Sequence, residues 1–296
     1  MFSGLSAFPL TPMNEQGIDD AAFVPLVQRL ADAGVDSIGA LGSTGSYAYL
    51  TREERSRVAR LAVANAGGVP VIVGIGALRT REVLALAEDA QQAGASAVLL
   101  APVSYQKLSS DEVYGLYKAV ARELSVPLCV YDNPGTTGFE FSDELHGRIA
   151  GLPNVASIKI PGLPTAAAAE ARLASLRALV PAHVSIGVSG DSYAATGLIA
   201  GADVWYSVIG GLFPQAALGI ARAALGGEAR EAVRLTERLA PLWDLFHKYR
   251  GSLRVIAAAA ELLGLVAAPS LPLPLKAIDG PDRERLAGII RELALA

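Results

Sequence analysis

Cysteine is almost absent from this chain: Cys129 is the single one in 296 residues. One thiol excludes any intramolecular disulfide framework and leaves a reducing compartment open to the protein. Histidine is nearly as sparse, and His146, His183 and His247 make no metal-ligand spacing with Cys129. Positive charge is not in excess. The 25 Lys and Arg stand against 29 Asp and Glu for a net charge of −4, which argues against nucleic acid as the main partner. No long hydrophobic run survives inspection either. The most apolar stretch, Ala257 to Leu275, is broken by Glu261, Pro269, Pro272 and Pro274, so no membrane span is expected. No Lys or Arg precedes Arg29, so a signal-peptide n-region is lacking and a cytoplasmic protein is expected. Phosphate-loop and serine-elbow motifs are missing, and Gly74-x-Gly76 lacks the third glycine of a dinucleotide fingerprint.

What is present is apolar. Hydrophobic residues make up 52% and charged residues 18%, enough for a large core and for some surface buried between subunits. Strand-like and helix-like segments alternate. Strands are expected at Leu5 to Leu10, Val35 to Leu41, Val69 to Gly74, Ser96 to Leu100, Pro127 to Tyr131, Val155 to Ile160, Val184 to Val188 and Asp203 to Val208. Helices fall between them, from Asp19 to Ala33, from a Thr51/Glu54 capping box, from Arg79 to Ala93, from a Ser109/Glu112 capping box to Leu124, from Ser142 to Ile149, from Thr165 to Leu179 and from Asp191 to Gly201. Pro25 implies that the first helix starts late or kinks. After Gly211 only helices are expected: Phe213 to Leu225, Glu228 to Lys248, Ser252 to Leu263 and Asp282 to Leu293.

Continuous apolar strands, each followed by a helix, imply a parallel sheet covered on its outer face. Eight such units predict an α/β fold, a (β/α)8 TIM barrel over residues 1–211 with a C-terminal helical extension over 212–296. In that fold the strand C-termini carry the chemistry.

Lysine is the next scarcity. There are five: Lys107, Lys118, Lys159, Lys248 and Lys276. Lys159 alone lies inside an apolar strand, where lost hydration favours the neutral amine and hence attack on carbonyls. The alternative is a lysine snorkelling from a strand end into water. The loop Gly42-Ser43-Thr44-Gly45 after the second strand offers N–H groups and hydroxyls to a carboxylate, or is a plain tight turn. Tyr131 ends the fifth strand and could shuttle a proton beside a lysine imine. Asp132 and Asp191 read better as turn or cap residues than as acids.

Together these residues resemble the dihydrodipicolinate synthase / N-acetylneuraminate lyase family of class I pyruvate-dependent aldolases. Gly42-Ser43-Thr44-Gly45 is similar to its Gly-Thr/Ser-Thr-Gly-Glu loop, and Tyr131-Asp132-Asn133-Pro134 with Thr137-Gly138 to its Tyr-Asn-x-Pro-x-x-Thr-Gly motif. Ser157-Ile158-Lys159 resembles its Gly-Ile-Lys strand, and Ser189-Gly190-Asp191 and Gly201-Ala202-Asp203 match further landmarks. The resemblance runs from Leu5 to Ala296. It implies Lys159 as Schiff-base lysine, Tyr131 and Thr44 as proton-relay groups, and Gly42, Ser43 and Thr44 as holders of the 2-oxo acid carboxylate. It further implies a Tyr206 backbone carbonyl facing bound pyruvate, Thr136 beside the distal part of the substrate, no metal or organic cofactor, and a homotetramer built as a dimer of dimers. The chain also departs from the pattern. Ser46 and Ile160 stand where the family has glutamates, and Asp132 replaces an asparagine. Thr136 replaces an arginine that grips the second substrate's carboxylate in condensation with aspartate semialdehyde. The tyrosine lent across the dimer interface has no aligned match, with Tyr105 one place late.

Overall fold

The computed structural model describes residues 2–295; Met1 and Ala296, the outer ends of the two expected units, lie outside them. The chain runs β1 (Gly4–Ala7), β2 (Met13–Asn14), β3 (Gly17–Ile18), α1 (Asp20–Ala33), β4 (Ser37–Ala40), α2 (Arg52–Asn65), β5 (Val71–Gly74) and α3 (Thr80–Gln92). Next come β6 (Ala97–Leu100), α4 (Ser110–Glu123), β7 (Leu128–Tyr131), α5 (Pro134–Thr137), α6 (Asp143–Ala150), β8 (Val155–Ile160) and α7 (Ala166–Arg177). β9 (Ser185–Val188), α8 (Ala194–Ile199), β10 (Val204–Ser207) and the helices α9 (Pro214–Leu225) to α13 (Gly280–Glu292) complete it. All strands but β2 and β3 close into one parallel barrel, in the order β1-β10-β9-β8-β7-β6-β5-β4. The (β/α)8 expectation is met, with helices following it. α9 packs against β1 and between α8 and α1, so it is the helix of the eighth unit although it lies beyond Gly211.

Local signals explain most helix starts. Thr51 with Glu54 and Ser109 with Glu112 form complete capping boxes, and Asp19 accepts from the Ala22 N–H. Three expectations need correction. The first strand stops at Ala7, and the antiparallel pair β2–β3 was not anticipated. α1 begins at Asp20 and passes through Pro25. The missing N–H faces Ala21, and both residues are exposed, so the freed carbonyl can turn to water. The helix expected from Glu228 to Lys248 is two helices, α10 (Ala229–Arg238) and α11 (Ala240–Lys248), meeting at Leu239. Pro241 accounts for the break: seated in the first turn of α11, it has no N–H to give the carbonyl four residues back, at Glu237, so the α10 ladder cannot run through it.

The alternation along each strand sorts side chains into two separate clusters. Ile158, Ile160, Val130, Ile186 and Trp205 point outward and pack with the helices. Phe8, Ile72, Leu99, Cys129, Tyr131, Val204 and Tyr206 fill the barrel interior. Small residues on other strands make room for them. A methyl at Gly39 or Gly42 would run into the Phe8 ring, and one at Gly187 would strike Val204 and Tyr206.

Candidate active site

The register of three neighbouring strands sets the site. Tyr131 of β7 pairs with Lys159 of β8, which pairs with Gly187 of β9. Ile158 and Ile160 face the helices, so Lys159 must face the barrel interior near its C-terminal mouth. It is 5% exposed, so it does not snorkel into water. Its Nζ lies 4.2 Å from the ring centroids of Phe8 and of Tyr131, and 5.4 Å from that of Tyr206. Burial pushes the amine down from 10.5 to about 8, against opposing pulls from Cys129 and Asp191. The ring faces favour the cation, each by roughly 0.5–2 kcal/mol. Burial is the largest influence on the amine, so its neutral form is more accessible than in a free lysine.

Phe8 was missed in the sequence. Its signal was the period-2 continuation of Ser6 into the interior, obscured by Pro9. The same ring lies against Gly39 and Gly42, which brings the Gly42–Gly45 loop to the amine. That loop is bracketed by Leu41 and Ser46, non-glycine residues held at φ 56 and 52. Left-handed backbone at a bulky residue costs on the order of 1–3 kcal/mol and gathers at functional loops. The N–H groups of Ser43, Thr44 and Gly45 have no protein acceptor among the described residues.

Tyr131 is buried, and desolvation raises the pKa of its phenol above the usual 10.0, making it a weaker acid. Ser43 Oγ lies 3.4 Å from its hydroxyl, and Asn133 Nδ2 donates to it at 2.8 Å. Thr44 is 5% exposed, and no hydrogen bond links its hydroxyl to Tyr131 among the described residues. Tyr206 is occupied below the lysine. Its hydroxyl is 2.6 Å from Ser157 Oγ and accepts from the Cys129 thiol at 3.3 Å. Burial lifts that thiol to about 11, which keeps it neutral. Thr136 is exposed and turns its hydroxyl back onto the Asn133 carbonyl at 3.3 Å. Tyr105 is 91% exposed and stands apart from the relay within its own chain.

Asp191 and Asp132 are not the turn and cap residues expected. The buried Asp191 carboxylate accepts from Trp205 Nε1, Ser207 Oγ and the Val208 and Ile209 N–H groups, at 2.8–3.2 Å. It ties the mouth of β9 to the end of β10 and leaves its own short helix uncapped. Asp132, also buried, faces outward toward His146 Nε2 at 3.5 Å. Burial lifts Asp132 to about 6 and lowers His146 to about 4. Neither ring nitrogen of His146 has a hydrogen-bond partner, and the ring stacks on Phe141.

A cleft of ≈ 470 Å³ opens beside the barrel mouth, lined by Tyr47, Arg52, Arg55, Arg81 and Glu82 among others. Lys159 is absent from its lining. The perturbed amine and phenol, rather than the cleft, mark the candidate site. Among the described residues no three His, Cys, Asp or Glu converge in a metal-binding group, and no helix is long and apolar enough to cross a membrane.

Comparison with known proteins spans the whole chain. A profile described as the dihydrodipicolinate synthetase family matches residues 1–293. A relative from Persephonella marina named 4-hydroxy-tetrahydrodipicolinate synthase is 31% identical over 300 residues, covering 100% of this chain and 99% of the relative. One of the same name from Methylococcus capsulatus is 34% identical, over 83% of this chain and 84% of the relative. Among solved structures, a dihydrodipicolinate synthase from Agrobacterium tumefaciens superposes with a TM-score of 0.95 at 48% identity, covering 99% of this chain and 98% of the other. A chloride-inhibited dihydrodipicolinate synthase from Acinetobacter baumannii, complexed with pyruvate, gives 0.90 at 28% identity over the full length of both chains.

Proposed function

This chain belongs to the dihydrodipicolinate synthetase family and is a Schiff-base-forming, pyruvate-dependent lyase of the class I aldolase type; on that premise we propose that Lys159 is the reacting amine. The neutral Nζ attacks the keto carbon of pyruvate or a 2-oxo acid. The carbinolamine loses water to give a protonated imine. The electron pair of a C3–C4 bond then flows into that imine to leave an enamine, and condensation is the reverse. Tyr131 passes protons to and from the reacting oxygens. Gly42, Ser43 and Thr44 hold the 2-oxo acid carboxylate with N–H and hydroxyl groups, and the Tyr206 carbonyl faces the bound keto acid. The observation that carries this reading is the buried Lys159 Nζ, 4.2 Å from the Tyr131 ring and depressed to about 8. Borohydride reduction with pyruvate tests it. A stable mass increase on Lys159 is expected, and its absence, or an equal adduct on Lys159→Ala, overturns the assignment.

For the second substrate we favour a neutral or hydroxylated fragment, so that a 2-keto-3-deoxy acid is cleaved, formed or dehydrated. Thr136 and Thr137 stand where a carboxylate would want a guanidinium. The name carried by the relatives favours a second reading, condensation of pyruvate with aspartate semialdehyde. Pyruvate release from a panel of 2-keto-3-deoxy acids, set against consumption of aspartate semialdehyde, separates the two. A cytoplasmic homotetramer completes the proposal, supported by the apolar groups left exposed at Tyr49, Leu78, Tyr105 and Leu273.

A further inference from the structure

Asn133 occupies the position before the first turn of α5, where an asparagine side chain ordinarily accepts from the helix N–H groups. It makes no such bond. Its amide nitrogen instead reaches back two residues and donates to Tyr131 Oη at 2.8 Å. That bond is shorter than the one between Tyr131 and Ser43 at 3.4 Å. The side chain has given up a stabilising cap for a contact with the reactive phenol.

The polarity of the contact is set by chemistry. An amide NH2 can only donate, so it fills a lone pair of Oη. The phenol's own proton is thereby directed away from Asn133, toward Ser43 and the space above Lys159. Donation also stabilises the phenolate over the phenol, opposing the burial that resists ionisation.

We infer that Asn133 is a positioning residue for proton transfer: by donating to Tyr131 Oη it orients the Tyr131 hydroxyl and eases its ionisation. The inference rests on the Schiff-base reading above. It extends that reading to a residue of a kind the sequence motif leaves open, since Asn133 fills a variable position between Asp132 and Pro134. The titratable groups around Tyr131 are Lys159 on β8, Cys129 on β7, Tyr47 beyond β4 and Tyr117 on α4, and the test alters none of them.

The test needs pyruvate alone. Borohydride-trapped adduct measures imine formation at Lys159. Exchange of the pyruvate methyl protons with deuterium, followed by NMR, measures the proton transfer that converts imine to enamine. Wild type, Tyr131→Phe, Asn133→Ala and Asn133→Asp are compared across pH. Asn133→Asp is the decisive variant, because it keeps the shape and replaces the donor with an acceptor. The expected result is an adduct yield close to wild type in both Asn133 variants. Exchange per adduct falls about tenfold in Asn133→Ala and further in Asn133→Asp, the size expected for one hydrogen bond to a charge-bearing group. The pH at which exchange is half-maximal moves up by about one unit. Exchange per adduct unchanged in Asn133→Asp while it collapses in Tyr131→Phe overturns the inference and leaves the Schiff-base reading standing. A pH-independent loss that follows thermal stability equally in both Asn133 variants reduces the residue to a structural role, and also overturns it. No adduct on wild type removes both claims.

Discussion

At the scale of single residues, a burial that helps chemistry should harm folding. The Lys159 amine has a folded value near 8 against 10.5 in an unfolded chain. Between those values the unfolded state holds more protons, so wild-type stability climbs as pH rises through that window, and the full penalty applies below it. Lys159→Met, apolar and of similar reach, is therefore expected to be more stable than wild type by about 3 kcal/mol at pH 7. The gap should shrink to under about 1 kcal/mol by pH 10. Urea unfolding at the two pH values checks this, and a pH-independent difference contradicts it. Asp132 and His146 offer a second sign test. His146, depressed to about 4, withdraws stability as pH falls from 6.5. Asp132, raised to about 6, returns stability as pH falls toward 3.8. The two oppose one another over nearly the same range. Asp132→Asn should leave His146 uncompensated, so its melting temperature should drop more steeply from pH 6.5 to 4 than that of wild type. Parallel curves would show that the two groups do not act separately.

At the scale of elements, the ties between strand ends decide whether the mouth of the barrel keeps its shape. Removing the carboxylate in Asp191→Ala strands two N–H groups, an indole and a hydroxyl in the interior. The expected loss is about 3–5 kcal/mol, with activity falling even in the folded fraction because Val208 and Ile209 are no longer held. Chemical denaturation together with activity per folded molecule reads both. Gly187→Ala is expected to destabilise by about 1–3 kcal/mol through overpacking against Tyr206, directly across from Lys159. These two positions also mark how far the sequence could be read. Strand order and helix starts were legible because apolar runs and capping boxes are local signals. Lys159 was legible because an ammonium in an apolar strand is a local contradiction. Asp191 was misread because its four partners lie 14 to 18 residues away, and a local rule for aspartate before a helix gives the wrong answer. Phe8 was passed over for a related reason: its place comes from the room that Gly39 and Gly42 leave. Asn133 lies only two residues from Tyr131, but the sequence does not say that its amide turns back to the phenol instead of capping α5.

At the scale of the molecule, α9 carries a consequence for truncation. It seals β1 and lies between α8 and α1, so a chain cut after Gly211 would expose the seam where the first and last strands meet. Such a fragment is expected to lack cooperative unfolding, while the full chain retains it; calorimetry of both decides. For the whole assembly, Leu78→Glu together with Tyr105→Ser should lower the molar mass measured by light scattering if those exposed groups are subunit contacts. An unchanged mass removes them from any interface. The division of buried side chains into an inner plug and an outer wall has a longer reach. The wall holds the tube together and contains none of the reacting groups. The plug is short and is drawn mainly from β5, β6, β7 and β10 with Phe8 just beyond β1. Its members can be traded for others that fit the room left by Gly39, Gly42 and Gly187. A lineage could keep one amine and change what that amine meets, much as a lamp takes a new bulb in the same socket.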